Sequence, residues 1–318
     1  MKLTEPGTPS SDFSLMRTTP GHFDFGRYLE MRDKEHQPPL DIDGQIENLK
    51  SIGLVIDDIE YAKSILNDIS YFRLIKAYSL GLKVKNGNYH KGIEFEQIVD
   101  LYLFNSNLRQ LLFPAIEVIE INLRCRISNW FSSKYGCLGY EDSANFQNAE
   151  YHCDFVGEIH DAIKRNSRSP FVSNFQKNYT DGKIPFYALI ELFSFGLLSK
   201  FYKNMKNEDK KSIAKSFGIG YTYFESWIES IAFVRNICAH YGRLYNIKLT
   251  KSPTLYSQYD QLSNNRVFSI FICIKYILGD SKVWNEVYAG LDKLIAKHPS
   301  VDLNKLGFPS DWKEVLTA

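Results

Sequence analysis

Apolar side chains recur along this chain at intervals of three and four residues, the spacing that lines one face of an α-helix. The longest stripe runs from about Glu94 to Lys134, through Phe104, Leu108, Leu111, Leu112, Ile116, Ile119, Leu123, Ile127 and Trp130. Pro114 falls inside it and is expected to kink it, since proline donates no N–H and crowds the preceding turn. Upstream, Asp41–Leu54 and Asp57–Ile69 read as short helices, the second with Asp57 and Asp58 where acidic groups complement the helix dipole. Tyr71–Tyr78 reads as a short helix or turn. Lys83–Gly92, with its Asn-Gly pair, reads as a loop.

Downstream, Tyr135–Tyr151 reads as loop and Asp154–Asn166 as helix. Pro185 opens a helix at Phe186–Met205, inside which Gly196 would let a neighbouring helix approach closely. Asn207–Phe217 leads through Gly218–Gly220 into a helix reaching Cys238. A loop containing Pro253 follows, then helices at Val267–Leu278 and Lys282–Lys297. The end from Pro299 is loop-like, with one turn of helix at Leu303–Leu306. No period-two alternation sustains a strand. The pattern predicts an all-α fold, a multi-helix bundle of about nine or ten helices with little or no sheet. Residues 1–38, rich in Pro, Gly, Ser and charge, read as a mobile N-terminal tail. The helical domain then spans 39–298, and 299–318 form a C-terminal tail.

Composition narrows the function classes. The 318 residues are 44% hydrophobic, enough for a large core, and the net charge of +1 leaves any nucleic-acid role to a local basic surface. The five cysteines are scattered without a CxxC pair, which argues against a disulfide framework and a thiolate zinc site. Cys137, His152 and Cys153 fit no common ligand spacing, so no metal and no cofactor is expected. There is no GxGxxG or GxxxxGK[ST] loop. No apolar run reaches membrane-spanning length and the N-terminus lacks a signal-peptide core, which predicts a soluble, cytoplasmic protein with no membrane partner.

The stretch that packing alone does not explain is residues 231–246, IAFVRNICAHYGRLYN. Arg235 lies four residues after Ile231 and seven after Ile228, on the apolar stripe of its helix. A guanidinium cannot shed its charge, so it must face a carboxylate, an interface or an anion-binding cleft. His240, five residues on, is rotated by roughly 140°. Either the helix ends between them, as Gly242 suggests, or the two groups meet across a wide cleft. Glu120 and Arg124 are spaced for an ion pair, and Glu120 or Glu117 are candidates to orient Arg235. Lys164, Arg165 and Arg168, before Pro170, and Lys210 and Lys211 are basic clusters that read as solvated ends or as phosphate contacts.

Arg235–Asn246 (RNICAHYGRLYN) resembles the RNxCAHxxRLWN signature of the Abi family of abortive-infection proteins, the AbiD/AbiF-like group. Asp41–Asp58, Phe95–Leu112, Ile116–Ile127 and Ile190–Met205 each resemble that family's blocks in the same order. The departures are Asn105 where Asp is usual, a divergent Tyr71–Leu80 block, Tyr241 where a second His is common, and Tyr245 in place of Trp. A further Arg–His pair of similar spacing, Arg17 and His22, lies in the N-terminal tail without the flanking residues.

The resemblance implies a HEPN-like fold and a metal-independent endoribonuclease working as a homodimer. RNA carries its own nucleophile, the 2′-hydroxyl, so cleavage needs only proton transfer and charge stabilisation. His240 suits general acid or base work near neutral pH. Arg235 suits two parallel hydrogen bonds to the scissile phosphate. Asn236 would orient His240 or bind phosphate, and Arg243 would contact phosphate or form a structural salt bridge. Two protomers would supply the acid and the base. The alternatives are a non-catalytic module binding a small structured regulatory RNA, toxin–antitoxin-like, and a purely structural Arg235 paired with Glu120 or Glu191.

Overall fold

The computed structural model describes residues 38–317. The expected N-terminal tail, with Arg17 and His22, lies outside them but for Pro38. Among the described residues the fold is all-α, with twelve α-helices and no β-sheet. These are α1 (Ile42–Ser51), α2 (Ile59–Asp68), α3 (Phe95–Tyr135), α4 (Ala149–Arg165), α5 (Pro170–Asn178) and α6 (Phe186–Leu189). They continue with α7 (Phe195–Asn204), α8 (Asn207–Lys215), α9 (Tyr221–Ala239), α10 (Val267–Leu278), α11 (Lys282–Lys297) and α12 (Trp312–Thr317). No helix among them is long and apolar enough to cross a membrane.

The bundle is built around α3. The side chain of Gln97 accepts a hydrogen bond from the backbone N–H of Glu94 at its start (3.3 Å), and Gly136 ends it at φ +79°. The helix continues through Pro114 without interruption. Its stripe is buried from Phe104 to Phe131 apart from the half-buried Leu111, while Trp130 stays at the rim and donates its indole N–H to Asp209. α11 lies against it so closely that a side chain at Gly290 would collide with Leu111, whose Cδ1 stands 2.5 Å from where the Cβ would be. α10 buries every residue from Val267 to Ile274, as a helix apolar on all sides must.

The sequence reading joined residues 186–205 into one helix, and the structure splits them. α6 passes through a 3-10 turn at Ile190–Leu192, and Ser194 then caps a new helix by accepting the Leu197 N–H at 3.2 Å. The break is held from α3: Arg124 donates to the carbonyls of Ile190 and Phe193 (2.9 Å to the latter), acceptors that a continuous helix would have used itself. Gly196 does not serve close packing, because a Cβ there would meet only Ser194 Oγ at 3.8 Å. This split, together with the short helix that Pro170 opens and the terminal α12, raises the helix number above the nine or ten expected.

The expected turn at Leu303–Leu306 forms, and the segment around it packs into the core through Val301, Leu306, Phe308, Trp312 and Leu316. Just before it, His298 Nδ1 lies 2.6 Å from Asp100 on α3, and Ser300 donates to the same carboxylate at 2.9 Å.

Candidate functional site

The helix carrying Arg235 ends where the second residue of interest begins. Phe224, Trp227, Ile228, Ile231, Val234 and Cys238 bury one side of α9, and His240 is its C-cap. Tyr241 donates to the Cys238 carbonyl (3.2 Å) and Gly242 to that of Ile237 (2.7 Å), the paired bonds that close a helix through a left-handed residue. The helix thus stops between the two groups, as Gly242 suggested. The left-handed residue, however, is Tyr241, at φ +56°. Gly242 is required for space, since a Cβ there would stand 2.8 Å from Ile237 Cγ2.

A tyrosine in that backbone region costs on the order of 1–3 kcal/mol and persists only where its surroundings hold it. Three polar side chains do so here. Arg73 donates to the Tyr241 carbonyl at 3.2 Å and Arg109 to that of Gly242 at 3.0 Å. Asn105, fully buried, accepts through one oxygen from the backbone N–H groups of Leu244 (2.7 Å) and Tyr245 (2.9 Å). Sequence reasoning registered Asn105 only as a departure from a pattern and missed Arg73 and Arg109. The available signal was the position of Asn105 and Arg109, a polar pair four apart on the most regular apolar stripe of the chain.

Arg235 is partly exposed, with 31% of its side chain in contact with solvent. Its Nε lies 3.4 Å from Glu120 Oε2 yet makes no hydrogen bond, and its guanidinium sits 5.7 Å from the Phe113 ring centre. A shallow cavity of about 160 Å³ opens there, lined by Phe113, Glu117, Glu120, Ile121 and Arg235. The other Glu120 oxygen pairs with Arg124 at 2.9 Å, and Glu191 approaches Arg124 at 3.9 Å. Of the three carboxylates considered from sequence, Glu120 faces Arg235, Glu117 shares its cavity and Glu191 belongs to Arg124.

His240 is exposed, and its ring makes no hydrogen bond with any described residue. Asn236 is exposed one turn earlier, where its carbonyl accepts the His240 backbone N–H at 3.0 Å. Its amide is not bonded to the imidazole. Arg243, half-buried, donates to the Ala77 carbonyl at 2.5 Å, so its partner is a carbonyl and not a carboxylate. The buried Cys238 thiol beside them is pushed up to about 12 by burial, which keeps it neutral and unreactive.

The remaining basic residues stand elsewhere. Lys210 is buried, its ammonium 2.7 Å from Glu225 and donating to the Lys203 carbonyl at 3.2 Å, whereas Lys211 beside it is exposed. Lys164, Arg165 and Arg168 are exposed at the end of α4 and beyond, where Arg165 shares a groove with Glu158 and Asp161. The end of α9 carries Arg235, Asn236 and His240, with Arg243 just beyond it, and the two basic clusters lie at α4 and on α8 instead.

A model of the protein family described as Abi-like protein matches residues 64–246, more than half of the chain. The match takes in all of α3 and the whole Arg235–Asn246 segment. No curated protein and no solved structure matches.

Proposed function

Because the chain belongs to the Abi-like protein family, we propose that it serves abortive infection as a metal-independent endoribonuclease of the HEPN type, with Arg235 and His240 as its reacting groups. One observation carries the reading. The guanidinium of Arg235 and the ring of His240 make no hydrogen bond within the described residues, although each sits where the chain is otherwise tightly bonded. The His240 ring is left unbonded, and Arg235 is held only by the 3.4 Å ion pair through its buried Nε, which leaves its terminal nitrogens unbonded.

The chemistry follows from those donors. The His240 imidazole takes the proton of the RNA 2′-hydroxyl as that oxygen attacks the adjacent phosphorus. The 5′-oxygen leaves with a proton, and a 2′,3′-cyclic phosphate remains. Arg235, oriented from one side by Glu120, presents its donors to the equatorial oxygens on which charge accumulates. Within one chain Arg235 stands inside α9 and His240 beyond its last residue as the C-cap, with no hydrogen bond between them. A second copy related by a two-fold axis supplies a second histidine, so that one ring acts as base and the other as acid. The working form is therefore a homodimer, and its target is cellular or invading RNA.

The same separation favours a second reading, a module that binds a small structured RNA without cleaving it. Incubating the purified protein with end-labelled RNA in EDTA decides between them. Cleavage leaving cyclic or 3′-phosphate ends, lost in His240→Ala, is the expected result. Intact RNA, 5′-phosphate ends or abolition by the chelator overturns the catalytic reading.

A further inference from the structure

Beside the end of α9 lies a second cavity that the cleavage chemistry does not use. Residues Phe72–Lys76 wind as one π-helical turn, a rare geometry that recurs at functional sites. Between this turn and Tyr241 opens a cleft of about 420 Å³, whose lining includes Phe72, Arg73, Lys76, Tyr102, Tyr241 and Arg243. Three of its lining residues are cations, and none of the described residues lining it is acidic. In a chain of net charge +1 that is a strong local concentration of one sign. Lys83, outside the cleft, has its affinity for a proton lowered by burial and further by the charge of Lys76.

The aromatic side chains are equally specific. Phe72 is 78% exposed and Tyr241 68% exposed, so the core uses neither ring. Tyr241 holds its left-handed backbone with Arg73 bonded to its carbonyl, which fixes that backbone and one cation of the cleft relative to each other. Arg243 is anchored from the other side through Ala77. Cations without acids select an anion, and exposed flat rings select a flat partner. A single-stranded polynucleotide offers both, a phosphate for every base with the base face uncovered. A duplex hides its base faces, and an acidic peptide has no regular planar group for the rings.

We propose that this cleft seats the single-stranded stretch of RNA next to the scissile bond, with a base stacked on Phe72 or Tyr241 and a phosphate among Arg73, Lys76 and Arg243. Tyr241, which lines the cleft, follows His240 directly in the chain, so RNA held here lies next to the residue that carries the imidazole. The inference rests on RNA being the substrate and adds its strandedness and the place where it binds.

The test measures binding of a short fluorescein-labelled single-stranded RNA to the full chain carrying His240→Ala, which keeps the probe intact. Phe72→Ala and Lys76→Ala are added to that background, both at exposed side chains without hydrogen bonds, with melting curves to confirm folding. Phe72→Ala weakens binding about tenfold, the scale of a lost stacking contact. Lys76→Ala weakens it and reduces the slope of log K against log salt by about 0.7, one phosphate contact on a single strand. Both variants binding as the parent does, a parent that binds no RNA, or duplex RNA bound as tightly as the single strand overturns the cleft. Cleavage is scored separately in protein with His240 intact. If it cuts nothing while the cleft variants lose affinity, the catalytic reading fails and the cleft stands. If it cuts while those variants bind normally, the cleft alone fails.

Discussion

Arg235 stands 3.4 Å from Glu120 without forming a hydrogen bond, while Arg124 holds the same carboxylate at 2.9 Å and is itself bonded to the carbonyls where α6 and α7 break. The two arginines therefore divide two tasks between them. Arg124 is the hydrogen-bonded partner of Glu120, and in the proposed function Arg235, paired with it only at the longer distance, is the one that meets phosphate.

Melting of variants separates those tasks. Arg235→Ala loses a partly exposed ion pair worth under about 1 kcal/mol and leaves Glu120 paired, so it melts close to the parent. His240→Ala, at an exposed ring, melts with it. Glu120→Ala removes the 2.9 Å carboxylate of Arg124 at the helix break, leaving it the carbonyls and the more distant Glu191, and costs about 3 kcal/mol. A collapse of Arg235→Ala comparable to that of Glu120→Ala assigns the arginine to the fold instead.

Asn105 carries the turn that follows the motif. Asn105→Ala leaves the buried N–H groups of Leu244 and Tyr245 without an acceptor, at about 1–3 kcal/mol each. Urea unfolding of this variant is expected to show a loss of about 2–6 kcal/mol. RNA cleavage should fall as well, because the same turn positions His240 and Tyr241. A loss within about 0.5 kcal/mol, the range of an ordinary surface change, contradicts this role.

Acid stability reads out Asp209, which is fully buried where α8 meets α3. Burial alone pushes its carboxyl up, but hydrogen bonds from Lys134, Trp130 and Tyr135 outweigh that and hold it below its ordinary value of 3.8. A carboxylate with a lowered folded-state value adds stability at pH above its unfolded value and loses it as pH falls through the folded one. Asp209→Asn should lower stability at neutral pH and flatten the acid limb below about pH 4. Parallel acid limbs for parent and variant argue against it.

Thiol titration checks burial near the site. Cys125, Cys137 and Cys153 are exposed, while Cys238 and Cys273 are buried with thiols pushed up by burial. A disulfide reagent should modify the three exposed thiols of the folded protein quickly and the other two only after unfolding. Fast reaction at Cys238 means that the end of α9 opens in solution.

The sequence by itself determined most of the elements, because a helix is written in the spacing of its own apolar residues. It gave the bounds of α10 and α11 residue for residue, the long helix through Pro114 and the loop after Leu82, and it offered the helix end between Arg235 and His240 as one of two alternatives. What it could not contain is which segments meet. Lys210 and Lys211 are adjacent and chemically alike, yet one is buried against Glu225 and the other faces water, and only the placement of α9 beside α8 separates them. The break at Ile190–Ser194 needs donors from Arg124, far earlier in the chain. The left-handed Tyr241 needs Arg73, Asn105 and Arg109 around its turn. Local spacing fixes how a segment winds; the partners of a buried polar group come from other segments, and only tertiary packing brings them within hydrogen-bonding distance.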